Sequence, residues 1–233
     1  FLSHIHRGDI YEANFCQEFY AQAKLNSLET YFKLNKIASA PFSTFLKMGD
    51  KFLLSSSPER YLKKEGLDII SQPIKGTTKR SENPEEDTDL KTILERDPKE
   101  RSENIMIVDL VRNDLSKIAQ KGTVNVTELC QIHSFKQVHH MISTVQAKAL
   151  SSVTPVDIIA ATFPMGSMTG APKISAMKII ETLEDTKRGL YSGAVGYFTP
   201  KGNFDFNVVI RSILYNATKS YVSFSVGSAI TSK

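Results

Sequence analysis

SGAVGYFTPKGNFDFNVVIRSILYNATKSYVSFSV, residues 192–226, decides the fold class. Ser192–Phe198, Phe204–Leu214 and Tyr221–Val226 are rich in β-branched and aromatic residues and read as strands. Lys201-Gly202-Asn203 and Thr218-Lys219-Ser220 separate them with turn chemistry, so the strands fold back as consecutive hairpins. The same pattern continues upstream. Tyr11–Gln22 alternates, with Tyr11, Ala13, Phe15, Phe19 and Ala21 on one face. Gly49-Asp50 joins Phe42–Leu46 to Phe52–Leu54, and Glu65-Gly66 leads into Leu67–Ile70. Val124–Leu129 and Val138–Gln146 also read as strands, whereas Pro73–Asn83 reads as a loop.

Helices are grouped between these hairpins. Leu25, Leu28 and Phe32 give Leu25–Ile37 a helical period, and the pattern turns helical again from Pro84. Asp97-Pro98 pairs an N-cap with proline at the first helical position, predicting a helix to Lys117 that buries Ile107, Leu110, Val111 and Leu115. Thr154-Pro155 opens a short helix to Thr162, and Ala171–Glu184 forms another. Hairpins with interposed helices predict an α+β fold on antiparallel sheet. No repeat or linker interrupts residues 1–233, which are read as one domain.

Composition narrows the function. With 233 residues, 41% hydrophobic content and 29 basic against 25 acidic side chains, the chain is not disordered. It holds no apolar run of about 18 residues that would span a membrane. Cys16 and Cys130 make neither a disulfide framework nor a metal-ligand spacing, which fits a reducing, cytoplasmic setting. Basic residues are scattered: Lys63-Lys64 is followed by Glu65, and Lys79-Arg80 by Ser81-Glu82. That pattern describes a solvated surface better than a nucleic-acid track, and small anionic substrates suit it equally. Phe1 and Lys233 both read as cuts through a longer protein.

Several side chains carry two readings each. Lys75, in Gln72-Pro73-Ile74-Lys75-Gly76-Thr77, is either a solvated lysine beside a turn or an amine held against a substrate. Glu59 is a turn glutamate paired with Arg60, or an acid/base group brought near Lys75 by the intervening hairpin. Glu100 and Glu103 share a helix face at i and i+3; that face is solvated, or it offers two carboxylates to Mg²⁺. His139 and His140 point to opposite sides of a strand, and either is structural or a proton carrier. Pro164–Lys173 is a small-residue loop running into a helix N-terminus, a connection or an anion site. Arg211 is an isolated charge in an apolar strand, paired with a structural carboxylate or with a bound anion.

In this order the segments resemble the chorismate-utilising enzymes, which include anthranilate synthase component I, aminodeoxychorismate synthase component I and the isochorismate and salicylate synthases. The matching stretches are Gly8–Tyr11, Ser57–Arg60, Pro73–Thr77, Val108–Asp114, Val138–Val145, Phe163–Lys173, Arg188–Tyr197 and Phe206–Arg211. The resemblance implies two large antiparallel β-sheets packed together with flanking helices, Mg²⁺ as cofactor, and chorismate as substrate. Within the family, Pro-Ile-Lys-Gly-Thr is similar to the aminodeoxychorismate synthase form; anthranilate synthases carry alanine at the position of Lys75. The implied reaction converts chorismate and ammonia to 4-amino-4-deoxychorismate, on the route to 4-aminobenzoate and folate. A glutamine amidotransferase supplies the ammonia.

By the same resemblance, Lys75 attacks C2 to form a covalent intermediate, Glu59 is the general acid/base, and His140 is an active-site residue. Glu103 and Glu100 belong to the metal site. Gly76, Thr77, Ser167, Tyr191, Arg211, Gly227, Ser228 and Ala229 contact the substrate. Two departures are expected: the second metal glutamate of the family lies beyond Lys233, and the N-terminal part of the fold precedes Phe1. The domain is therefore read as truncated at both ends. A sibling activity (anthranilate, isochorismate or salicylate synthase) and a non-catalytic basic binding module are the competing readings.

Overall fold

Hairpin turns and capped helices organise the chain, and the computed structural model describes residues 1–232. The strands are β1 (Glu12–Gln22), β2 (Phe42–Met48), β3 (Lys51–Ser57), β4 (Arg60–Glu65), β5 (Asp68–Gln72), β6 (Ile74–Lys79) and β7 (Asn125–Ser134). They continue with β8 (Val138–Lys148), β9 (Gly170–Ala171), β10 (Ala194–Phe198), β11 (Phe204–Val208), β12 (Ser212–Asn216) and β13 (Tyr221–Ile230). The helices are α1 (Leu2–Arg7), α2 (Ser27–Ala38), α3 (Pro84–Arg96), α4 (Pro98–Ser116), α5 (Pro155–Thr162) and α6 (Lys173–Leu183). Two antiparallel sheets with flanking helices result, as the family resemblance implies.

Contacts divide the chain into two units. The first comprises Phe1–Glu59, Met168–Val195 and Asn207–Lys233. It carries a six-stranded sheet in the order β2-β3-β12-β13-β1-β9. The long β1–β13 ladder sets its register, with Cys16 opposite Gly227 and Asn14 opposite Ala229. Ile10, Ala13, Ala176 and Ile179 form an apolar cluster where α6 meets β1.

The second unit comprises Arg60–Ser167 and Gly196–Phe206. Its sheet runs β10-β11-β4-β5-β8-β6, and β7 pairs with β8. Helix α4 lies along β6, β7 and β8 and buries Ile107, Val108, Val111 and Leu115. Leu110, expected in the core, is only half-buried. Asp97 caps α4 by accepting from the amides of Lys99 and Glu100 at 2.8 and 3.0 Å. Thr154 and Asp157 form a reciprocal capping box on α5. Among the described residues, no helix is long and apolar enough to cross a membrane.

The structure corrects three expectations. Pro73–Asn83 is not a loop: Ile74–Lys79 pairs with β8, because Thr77 and Thr78 find a ladder partner there. Phe204–Leu214 is not one strand. It breaks after Val208, and β11 and β12 belong to different sheets. Ala171 belongs to β9 rather than to α6, because Gly170 and Ala171 pair with Ala13 and Glu12.

Candidate functional site

In the second unit the site is assembled around a bulge. Ile74 pairs with Ile142 and Thr77 with His140, so Lys75 and Gly76 together oppose Met141 alone. Gly76 has φ +94°, and a Cβ there would sit 3.1 Å from Met141 Cβ and 3.3 Å from Glu100 Cβ. Glycine therefore permits both the turn and the close approach of α4. Lys75, expected within the Pro73–Asn83 loop, lies within β6. Its side chain is 11% exposed, with Nζ 3.8 Å from Glu103 Oε2.

Glu103 is buried, so the reading of this helix face as solvated is wrong. Its Oε1 lies 3.7 Å from Lys99 Nζ and accepts no hydrogen bond. Glu100 is half-buried beside it. Desolvation first, and then the charge of Glu103, raise the Glu100 carboxyl above its ordinary pKa, while Lys99 and Lys75 oppose the shift. A buried oxygen that accepts no hydrogen bond, with a second carboxyl on the same helix face, fits a hard cation, which takes one or two carboxylates. Among the described residues no larger cluster of His, Cys, Asp and Glu has metal-binding geometry.

The two strand histidines separate as expected. His140 is buried, and its Nδ1 lies 2.8 Å from Thr77 Oγ1 and its ring against Phe135. His139 lies 3.0 Å from Asp87 and 2.8 Å from Ser134. Arg80 holds that Asp87 carboxyl well below the usual range, with help from the Ser81 amide. Ser167 is buried in a single 3₁₀ turn, Gly166–Met168. The loop does not run directly into α6, because β9 and Pro172 intervene.

The first unit holds its own group of candidate residues. Glu59 is buried rather than an exposed turn residue; its amide donates to Ser57 Oγ at 3.2 Å, and its carbonyl accepts from Val208. Arg211 lies in the break between β11 and β12 with φ +50°, not within a strand. Burial lowers its pKa and the nearby Glu59 charge opposes the shift. Tyr191 is buried, and Gly227 admits it: a Cβ there would meet Tyr191 Oη at 3.1 Å and Asn14 Nδ2 at 2.9 Å. Burial and then Cys16 push the Tyr191 phenol far up. Gly227, Ser228 and Ala229 continue β13, which runs past the expected Val226.

Sequence reasoning missed the residues that hold these groups. Arg188 spends its five donors on Glu184, Ser192 and the carbonyls of Met168 and Asn14, at 2.6–3.1 Å. Its position directly before Gly189-Leu190-Tyr191 was the available signal. Asn104, next to Glu103, hydrogen-bonds the carbonyls of Lys75 and Met141. Adjacency to a candidate ligand was the only hint in that case.

Comparison with known proteins bears on this geometry. The family model described as "chorismate binding enzyme" matches residues 1–233. The chain is 40% identical over 228 residues to aminodeoxychorismate synthase component 1 of Klebsiella aerogenes, covering 98% of this chain and 50% of that protein. It is also 40% identical to the chloroplastic aminodeoxychorismate synthase of Arabidopsis thaliana, covering 98% of this chain and 25% of that one. The crystal structure of anthranilate synthase component I from Streptococcus pneumoniae matches with a TM-score of 0.90 at 32% identity, over 100% of this chain and 51% of that one. The chain spans about half the length of the component 1 relatives it matches.

Proposed function

This chain belongs to the chorismate-binding enzyme family, and we propose that it is the catalytic part of an aminodeoxychorismate synthase. The observation that carries the reading is Lys75: a bulge turns its amine toward Glu103 in a largely buried setting, in a chain 40% identical to enzymes of that name. The Nζ of Lys75 attacks C2 of chorismate, both ring double bonds shift by one position (to C1=C6 and C4=C5), and the C4 hydroxyl leaves after taking a proton. Ammonia then adds at C4 and the C2–N bond breaks in the reverse shift. The net result is replacement of hydroxyl by amine, with water released.

Glu59 is assigned the proton transfers, taking one from the amine and giving one to the leaving oxygen. Thr77 orients His140 through their hydrogen bond. Arg211 and Tyr191 hold substrate carboxylate, an anion that a desolvated guanidinium pairs with strongly. Gly76, Thr77, Ser167 and the Gly227–Ala229 stretch complete the substrate contacts. Glu103 and Glu100 would hold Mg²⁺, which supplies a Lewis-acid grip on a substrate oxygen.

The name of the bacterial relatives, component 1, supports a second component, and we assign it the glutamine amidotransferase role. The proposed setting is the cytoplasm. The test is to mix the full-length protein with chorismate, Mg²⁺ and ammonium and identify the product by mass and fluorescence. The expected product is 4-amino-4-deoxychorismate, with a quench-trapped chorismate adduct on Lys75 that Lys75→Ala lacks. That variant should keep some turnover, because ammonia can attack directly in the emptied space. Formation of anthranilate or isochorismate, or equal turnover without an adduct on either protein, would refute the reading.

A further inference from the structure

A second bulge faces the one that carries Lys75. Glu128 pairs with Thr144 and Gln131 with Ile142, so Leu129 and Cys130 of β7 oppose Ser143 alone. Cys130 takes φ +53° there. Met141–Ser143 of β8 is thus flanked by an extra residue on each side, and ladder hydrogen bonds are interrupted on both edges.

A directed polar chain spans the gap. The Cys130 amide donates to Ser143 Oγ at 2.9 Å, and the Ser143 hydroxyl donates to Asn104 Oδ1. That fixes which way the amide points. Asn104 Nδ2 then donates to the carbonyls of Lys75 and Met141, each at 3.3 Å. Asn104, Ser143 and Cys130 are all 2% exposed or less. A buried polar network of this kind is costly unless satisfied, and satisfied it defines one geometry.

We infer that Asn104, oriented by Ser143, is a positioning residue that locks the Lys75–Gly76 bulge and so aims the Lys75 amine. The inference rests on the proposed role of Lys75 as nucleophile. Two features of the geometry support it. The amide donates to the carbonyls of Lys75 and Met141, one on each strand of the bulged pair, and so ties the two together. The same residue follows Glu103 on α4, so one helical turn fixes the lysine backbone and faces its amine.

The experiment compares Asn104→Ala, Ser143→Ala and the double variant in the full-length protein. Two readouts are taken: steady-state kinetics with chorismate and ammonium, and the rate at which trinitrobenzenesulfonate labels Lys75 at fixed pH, mapped by peptide mass spectrometry. The labelling needs no turnover, so it tests the positioning even if the reaction is another one. Asn104→Ala should lower kcat roughly 10²-fold, as expected for a misaimed nucleophile. KM should stay within about threefold, since the carboxylate contacts remain. Lys75 should be labelled at least about threefold faster as the bulge loosens, with other lysines unchanged.

Ser143→Ala should move both readouts in the same direction by less. The double variant should match Asn104→Ala, because both residues act through one amide. Lys75 labelling at the wild-type rate in the folded variants would overturn the inference, whatever kcat does. So would simple additivity in the double variant. If Asn104→Ala does not fold, the Ser143→Ala labelling rate decides alone. Altered labelling together with the absence of any chorismate adduct on wild-type Lys75 would keep the positioning and sink the proposed reaction.

Discussion

Gly76→Ala should be among the most damaging single-methyl changes in the second unit. Alanine at φ +94° leaves the regions L-residues favour, which costs about 1–2 kcal/mol. The new methyl would also sit 3.1 Å from Met141 Cβ and 3.3 Å from Glu100 Cβ, inside the usual 3.5–4.0 Å carbon contact. Both neighbours are Cβ atoms tied to backbone, so neither can swing away, and overpacking of this kind adds about 1–3 kcal/mol. The sum is about 2–5 kcal/mol, or a melting temperature roughly 5–15 °C lower. Gly122→Ala is the control, because Gly122 has φ +79° in the same unit with nothing within 4 Å of its added Cβ. It should lose only the conformational part, about 1–2 kcal/mol. Calorimetric melting of both variants beside wild type measures the difference. Equal losses would refute the steric argument, and a loss under about 0.5 kcal/mol for Gly76→Ala would refute the strain argument as well.

Further outcomes follow from the same geometry. Glu103→Gln should abolish Mg²⁺-dependent turnover and weaken Mn²⁺ binding, read directly by electron spin resonance; unchanged Mn²⁺ affinity would remove Glu103 from the metal site. Arg211→Ala and Arg211→Gly should both raise KM for chorismate, but glycine relieves the φ of +50° and should melt higher than alanine by about 2–8 °C. Identical melting would deny the strain. The Cys16 thiol, pushed by burial from its ordinary 9.0 up to about 11, ionises later folded than unfolded. Unfolding therefore releases a proton between those values, so stability should fall as pH rises from 9 to about 11. Cys16→Ser should flatten that part of the stability–pH curve.

Local signals in the sequence were enough where the determining chemistry is local. The caps at Asp97-Pro98 and Thr154-Pro155 fix where α4 and α5 begin, and the hairpin turns fix which strands are neighbours. The β6 strand was hidden because Pro73, Lys75 and Gly76 look like loop residues, while its ladder partner β8 lies more than 60 residues away, with Thr77 opposite His140. The burial of Glu103 was hidden for a related reason. A helix face with two glutamates and a lysine has the pattern of a solvated face, and only the apposition of α4 to β6 and β8 makes it interior. Arg188 and Asn104 are marked in the sequence only by the candidate residues beside them. Their partners lie as far as 174 residues away, and no periodicity marks a hydrogen bond of that span.

Arg211 shows how the same physics both hid a residue and gives it a use. Val208-Val209-Ile210 is a continuous apolar run, which periodicity cannot divide between one strand and two. The chain in fact leaves the seven-stranded sheet at Val208 and enters the six-stranded sheet at Ser212. The turn between them is held by the Ile210 amide on the Val208 carbonyl and by the Ser56 amide on the Arg211 carbonyl. A turn of this kind suits glycine, because a bulky residue at φ +50° is strained by about 1–3 kcal/mol. Keeping arginine there, desolvated and within the field of Glu59, costs stability that glycine would spare. Such strain persists where the surrounding structure dictates the conformation, and it clusters at sites that bind or react. A guanidinium fixed at the point where the chain changes sheets is aimed by backbone rather than by a flexible strand side chain, which is the preorganisation that the carboxylate recognition proposed for Arg211 would need.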